Sequence, residues 1–180
     1  MILTNDPSFT AWGWVVIDWN GMIKAGGCIK TQPEHKKRHI YKADDTRRRI
    51  SEINYELKRI IREYHINYLL SESVHGSQNA NAAVMIGAVT GITQTISDCL
   101  EIPLECYTER DAKKCLLGKV AATKLETIEA IDNEYSVPIW TRIKYQDEAM
   151  ADALAIYHVA KHKSQTIQMM MRRYLRLRRI

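Results

Sequence analysis

The sequence predicts an α/β fold: a mixed five-stranded sheet, an antiparallel meander followed by parallel strands, flanked by helices. Three observations carry this. Apolar, strand-like segments crowd the first thirty residues with only short turns between them. Beyond residue 43, three- and four-residue apolar spacing alternates with short apolar runs, so helices alternate with strands. The length of 180 residues, 46% hydrophobic and 26% charged, suits one domain with a substantial core.

The elements follow in order. ILTND, AWGWVVIDW and MIKAGGCIK read as strands, and Asn20-Gly21 between the last two predicts a type I′ hairpin turn with positive φ at both residues. Trp12, Trp14 and Trp19 belong to strand core and rim. Ile50, Ile53, Leu57, Ile60 and Ile61 predict a helix over 43–64 that lays one face on the sheet. INYLLSES is a strand ending in Glu72, a buried helix spans 79–100, and PLECYT is the fifth strand. Helices are predicted at 109–116, 122–134 and 147–163, punctuated by Gly118 and Pro138. A single domain of residues 1–164 is followed by a basic segment, 165–180, read as an amphipathic helix or an arm.

The net charge is +5, and seven Lys or Arg lie beyond residue 152 with no acid among them, which leaves the first 152 residues at −2. Basic character is thus concentrated in the tail, with a second run from Lys36 to Lys42 followed by Arg47, Arg48 and Arg49. Such patches suit a polyanion, nucleic acid before an acidic membrane surface. Four scattered Cys without a CxxC pair and an N-terminus without a basic-then-apolar layout fit reduced thiols in a cytoplasmic setting. The uncharged core AAVMIGAVTGI is short for a membrane span.

Three acids stand where a carboxylate is costly. Asp6 ends one apolar strand, Glu72 ends another, and Asp152 lies inside MADALAIYHVA. Carboxylates gathered from strand ends and a helix form a hard, all-oxygen set suited to Mg²⁺ or Mn²⁺. Glu148 precedes Asp152 by one helical turn and shares its face, with Asp147 close enough to substitute. His35/His39 and His158/His162 have i, i+4 spacing compatible with zinc but no neighbouring acid or Cys in a zinc pattern.

NDPSFTAWGWVVID resembles the first-strand motif of the RuvC-type Holliday junction resolvases. ESVHGSQNANAAVMIGAVTG, YTERDAKKCLLGKVAATK and ADALAIYHVA are similar to that family's later motifs, in order and spacing, from Met1 to about Lys163. The resemblance is to a divergent, phage-type member. It implies an RNase H-like fold, a homodimer without a membrane or small-molecule cofactor, and metal-dependent endonuclease activity on four-way or branched DNA.

The resemblance also places Asp6, Glu72 and Asp152 as ligands of two Mg²⁺ or Mn²⁺ ions. The family's fourth ligand falls at Ala149, so Glu148 or Asp147 has to supply it. Lys113, Lys114, Lys119 and Lys124 match the region that faces DNA phosphates, Lys113 and Lys124 most closely. His75 sits where the family often carries an aromatic wedge. Gly87 and Gly91 lie on the helix that forms the family's dimer interface, although close packing on the sheet explains the same spacing. Arg172, Arg173 and Arg176 form a basic stripe on the tail. The departure at Ala149 leaves open a non-catalytic junction-binding protein, and RNA–DNA hybrids or flaps are further substrates for such a fold.

Overall fold

A computed structural model of the chain describes residues 1–73, 79–135, 137 and 139–177. Five strands, β1 (Ile2–Asp6), β2 (Ala11–Ile17), β3 (Ile23–Lys30), β4 (Tyr68–Glu72) and β5 (Leu104–Tyr107), form one sheet in the order β3-β2-β1-β4-β5. The first three pair antiparallel, and β1·β4 and β4·β5 pair parallel. The predicted mixed sheet is therefore present. Its meander comes first and its crossovers are helical, α2 (Lys42–Glu63) before β4 and α3 (Ala80–Leu100) before β5.

Strand alternation sorts the core into two layers. Ile2, Tyr68 and Leu70 pack with Met150, Leu154 and Tyr157 of α6 (Lys144–Lys163) on one face. Leu3 and Leu69 pack with Ile53, Leu57 and Ile60 of α2 and with Val89, Ile92 and Ile96 of α3 on the other. Trp12 and Trp19 are buried and Trp14 is half-buried, as core and rim positions should be. Helix α6 is buried from Ala149 to Ala160, which explains its almost uniformly apolar sequence.

The turn after β2 differs from the type I′ expectation. Only Gly21 has positive φ (85°) there. Asp18 closes a longer turn by accepting from the backbone N–H of Asn20 (2.8 Å) and Met22 (3.0 Å), so its carboxylate does the work expected of the backbone. The middle basic run is also only partly free. It includes a short helix, α1 (His35–Arg38). Arg49 is buried, donates to Thr31 Oγ1 (2.8 Å) and Phe9 O (2.9 Å), and lies over the Phe9 ring, while Arg48 is held by Asp45 (2.7 Å) and Glu52.

The expectation of a buried third helix holds for one end of it. Val89, Ile92 and Ile96 are buried, but Val84 is 64% exposed, and a Cβ built on Gly87 or Gly91 would meet nothing within 4 Å. Packing of these glycines on the sheet is thereby excluded. By length and composition, α3 would suffice to cross a membrane. The tail segment forms a helix, α7 (Gln165–Leu177), anchored by fully buried Ile167.

Candidate active site

Strand periodicity brings the acids together. On β1, Asp6 follows Ile2 and Thr4 on the face covered by α6, and on β4 Glu72 follows Tyr68 and Leu70 on the same face. The two strands run parallel with Ile2 opposite Tyr68 and Asn5 opposite Ser71, so Asp6 and Glu72 end at one level of the sheet. Asn5 ties this end together, its Nδ2 donating to Leu70 O (3.1 Å) and its Oδ1 accepting from Trp12 Nε1 (3.1 Å).

Helix α6 reaches the same spot for two reasons. Thr4 Oγ1 donates to Ala153 O (2.6 Å), which pins the residue after Asp152 to β1. Gly13, paired with Asp6 across the β1·β2 ladder, is where the helix backbone presses in: a Cβ there would lie 2.1 Å from Ala149 O. Only glycine accommodates that approach.

The buried acids also shift one another's titration. Burial, then the charges of Glu72 and Asp152, hold the Asp6 carboxyl well above the usual carboxylate range. Burial, then Asp152 and Glu109, push Glu72 up to about 7. Asp152 is raised by burial and opposed by Lys124, the first residue of α5 (Lys124–Tyr135), whose Nζ pairs with its Oδ2. Burial works against the Lys124 charge, and Asp152 and Asp6 outweigh it, so this ammonium is held firmly protonated.

A set of oxygen donors this short of positive charge fits a divalent cation. Its protonation has a consequence for stability. A carboxyl whose folded pKa is raised binds more protons in the folded state, so its contribution falls as pH rises from the unfolded value of 4.5 to about 7. In EDTA this cluster is therefore expected to lower Tm over that window. The Mg²⁺-induced rise in Tm is expected to be larger near about pH 8 than near about pH 5.5, as thermal melts at the two values will show.

The sequence model of the RuvC family, described as crossover junction endodeoxyribonuclease RuvC, matches residues 2–160. The chain belongs to the RuvC family. RuvC of Salmonella choleraesuis is 29% identical, covering 99% of this chain and 96% of its own, and RuvC of Methylococcus capsulatus is 28% identical over 69% and 71%. Among solved structures, Thermus thermophilus RuvC in complex with a Holliday junction substrate superposes with a TM-score of 0.70 at 18% identity, covering 92% of this chain and 94% of that one. The yeast mitochondrial Holliday junction resolvase Ydc2 gives 0.58 at 8% identity over 96% and 80%. These structures establish the RNase H-like fold, and RuvC proteins are metal-dependent nucleases.

The structure distributes the remaining sequence-predicted residues unevenly. Asp147 is engaged elsewhere: its Oδ1 accepts from Thr141 N and Thr141 Oγ1, both at 2.8 Å, and so holds the turn before α6. Helix α6 begins at Lys144, three residues before the predicted start, and Glu148 sits on it half-buried, 4.0 Å from Lys144. Ala149, where the resemblance puts the fourth ligand, is buried against Gly13.

Lys113 pairs with Glu109 (2.6 Å) at the start of α4 (Glu109–Leu117), Lys119 pairs with Glu126, and Lys114 is exposed. Arg172, Arg173 and Arg176 are exposed on α7. His75 lies outside the described residues. Glu109 belongs to this end of the sheet too, although it is not among the candidates the sequence singles out. Its charge reaches Asp6, Glu72 and Asp152 because β5, which ends two residues earlier, pairs Tyr107 with Glu72.

Proposed function

We propose that this protein is a Mg²⁺- or Mn²⁺-dependent endonuclease that resolves four-way DNA junctions. The observation that carries this is the convergence of Asp6, Glu72 and Asp152 on one end of the sheet in a RuvC-family chain. Asp6, level with Glu72 on β4 and under α6, would together with Glu72 and Asp152 hold two such ions. Glu148 and Glu109 are the acids available to complete the set where Ala149 offers no ligand. Bound divalent ions supply an activated water and charge neutralisation at the phosphate.

The chain's own residues supply the rest. Glu72, poised at about 7, needs a proton removed before it can serve as a ligand, so assembly of the site is favoured above neutrality. Lys124, half-exposed beside Asp152, is placed to hold a phosphate oxygen once the acid's charge is otherwise satisfied. Lys113, Lys114 and Lys119 on and after α4 would extend this positive rim along the DNA backbone.

Two nicks on opposite strands of a junction require two active sites, which fits a homodimer. The exposed stretch of α3 around Gly87 and Gly91 is the face we assign to it. Thr90, Gln94 and Asp98 are exposed on the same helix and suit a protein partner better than lipid. We place the protein in the cytoplasm, the host's if it is viral.

Helix α7 adds a sequence-independent grip. Removing residues 168–180 is expected to weaken junction binding and to reduce its log–log salt slope by up to about 0.9 for each arginine that meets a phosphate. Fluorescence anisotropy across a salt series measures this, and an unchanged slope accompanied by lost liposome binding would instead make α7 a membrane-surface helix.

Labelling each of the four junction strands in turn tests the function itself. Mg²⁺-dependent cuts at equivalent positions in two opposing strands are expected. Cuts confined to one strand, or scattered over all four, would refute a paired-nick resolvase.

A further inference from the structure

Among the described residues, one group of His, Cys, Asp or Glu has its ligand atoms all within 4.8 Å of one another, and it lies apart from the acidic cluster: Glu134, His158 and His162. His158 and His162 stand one turn apart near the end of α6, with ring centroids 4.6 Å apart, and Glu134 comes from the last turn of α5. The sequence offered only the histidine pair. Packing of α5 on α6 supplies the acid that an i, i+4 pair lacks.

We propose that Glu134, His158 and His162 form a second metal site, for a Zn²⁺-class transition ion, separate from the acidic nuclease centre. The donor set decides the class of ion. Two imidazoles and one carboxylate suit Zn²⁺ and its borderline neighbours, whereas Mg²⁺ and Mn²⁺ favour the all-oxygen set around Asp6.

The surroundings match a ligand histidine. His158 is buried, and its Nδ1 stands 2.9 Å from Tyr135 Oη, which leaves Nε2 free for an ion when Nδ1–H donates to the phenol. Such an outer partner fixes both tautomer and ring orientation. Glu134 and His162 are exposed, so the site opens to solvent and an ion has an entry path.

One competitor is present. Lys161 Nζ lies 3.5 Å from Glu134 Oε1 and 5.3 Å from the Tyr135 ring centroid, and it must yield the carboxylate on metal binding. Its stem is flexible and the ammonium can stay over the ring. The ion would clamp the C-terminal end of α5 to α6, and the other end of α5 carries Lys124 to Asp152. The site thus steadies the helix that delivers a nuclease residue, although its existence does not depend on the nuclease reading.

The test titrates the full chain with Co²⁺ in excess Mg²⁺, which occupies the oxygen-only cluster, and reads the visible d–d absorption of a nitrogen-ligated site. The wild type is expected to take up one equivalent with that band, and His162→Ala to lose it. Tyr135→Phe should weaken binding by roughly 10–100-fold, the usual cost of removing an outer partner. Zn²⁺ should raise the Tm of the wild type and not that of His162→Ala, whose Mg²⁺-dependent nicking without Zn²⁺ stays at the wild-type level. Absence of the band in the wild type, or its persistence at unchanged affinity in His162→Ala, would overturn the proposal. The exposed thiols Cys99 and Cys106 are common to both proteins and cancel in the comparison.

Discussion

Replacing Asp6 by Asn is expected to abolish junction cleavage while leaving junction binding close to that of the wild type. The change deletes one charge and almost no volume at the residue proposed as the central ligand of the metal centre. Charge stabilisation worth several kcal/mol is lost, and at about 1.4 kcal/mol per decade the single-turnover rate should fall on the order of 10³-fold. A second signature separates this from misfolding. Asp6, Glu72 and Asp152 repel one another in the metal-free protein, and burial adds to the cost, so the neutral amide should raise Tm in EDTA. A variant that cuts at near the wild-type rate in Mg²⁺ would remove Asp6 from the metal centre.

Lys124→Ala is expected to have the next largest effect. In the metal-free protein Lys124 provides the counter-charge to buried Asp152, so truncation should lower Tm in EDTA by leaving that carboxylate without its partner. In the reaction, loss of the positively charged donor proposed to hold a phosphate oxygen is expected to lower the cleavage rate by about 10²–10³-fold, the magnitude typical for an oxyanion-stabilising group. The salt slope of binding should fall by no more than about 0.9, the share of one phosphate contact. Lys124→Arg should restore much of the stability and less of the rate, since the broader guanidinium cannot take the compact position of the ammonium. Unchanged Tm and unchanged rate would reduce the pair to a surface contact.

The sheet and three of its acids were legible in the sequence because each left a local trace. An apolar strand with period-2 burial that ends in a carboxylate, as at Ile2, Thr4 and Asp6, announces both its core face and an acid that must be compensated. Asp152 was visible for the same reason inside an apolar helix. What escaped notice depended on residues distant in sequence. Glu109 joins the cluster only because β5 pairs with β4, and Glu134 completes a histidine pair only because α5 packs on α6.

Asp18 and Arg49 show the reverse. Their side chains satisfy backbone groups at the turn after β2 and in the connection between β1 and β2, so Arg49, which reads as part of a free basic run, is structural. The apolar stretch of α3 misled in the other direction, since composition indicated burial and the fold leaves Val84, Gly87 and Gly91 uncovered. This is the face proposed above for a second copy, and composition alone never specifies a partner.

Whether the Asp6–Glu72–Asp152 end of the sheet is a metal-dependent centre for junction resolution is decided by a single-turnover assay on matched substrates. A synthetic four-way junction, a linear duplex, a flap and an RNA–DNA hybrid are compared in Mg²⁺ and in EDTA. Cleavage of the junction in Mg²⁺, none in EDTA, and far slower cutting of the other three are expected. Tight junction binding with no cleavage in either Mg²⁺ or Mn²⁺, or preferential cutting of the hybrid or the flap, would contradict it.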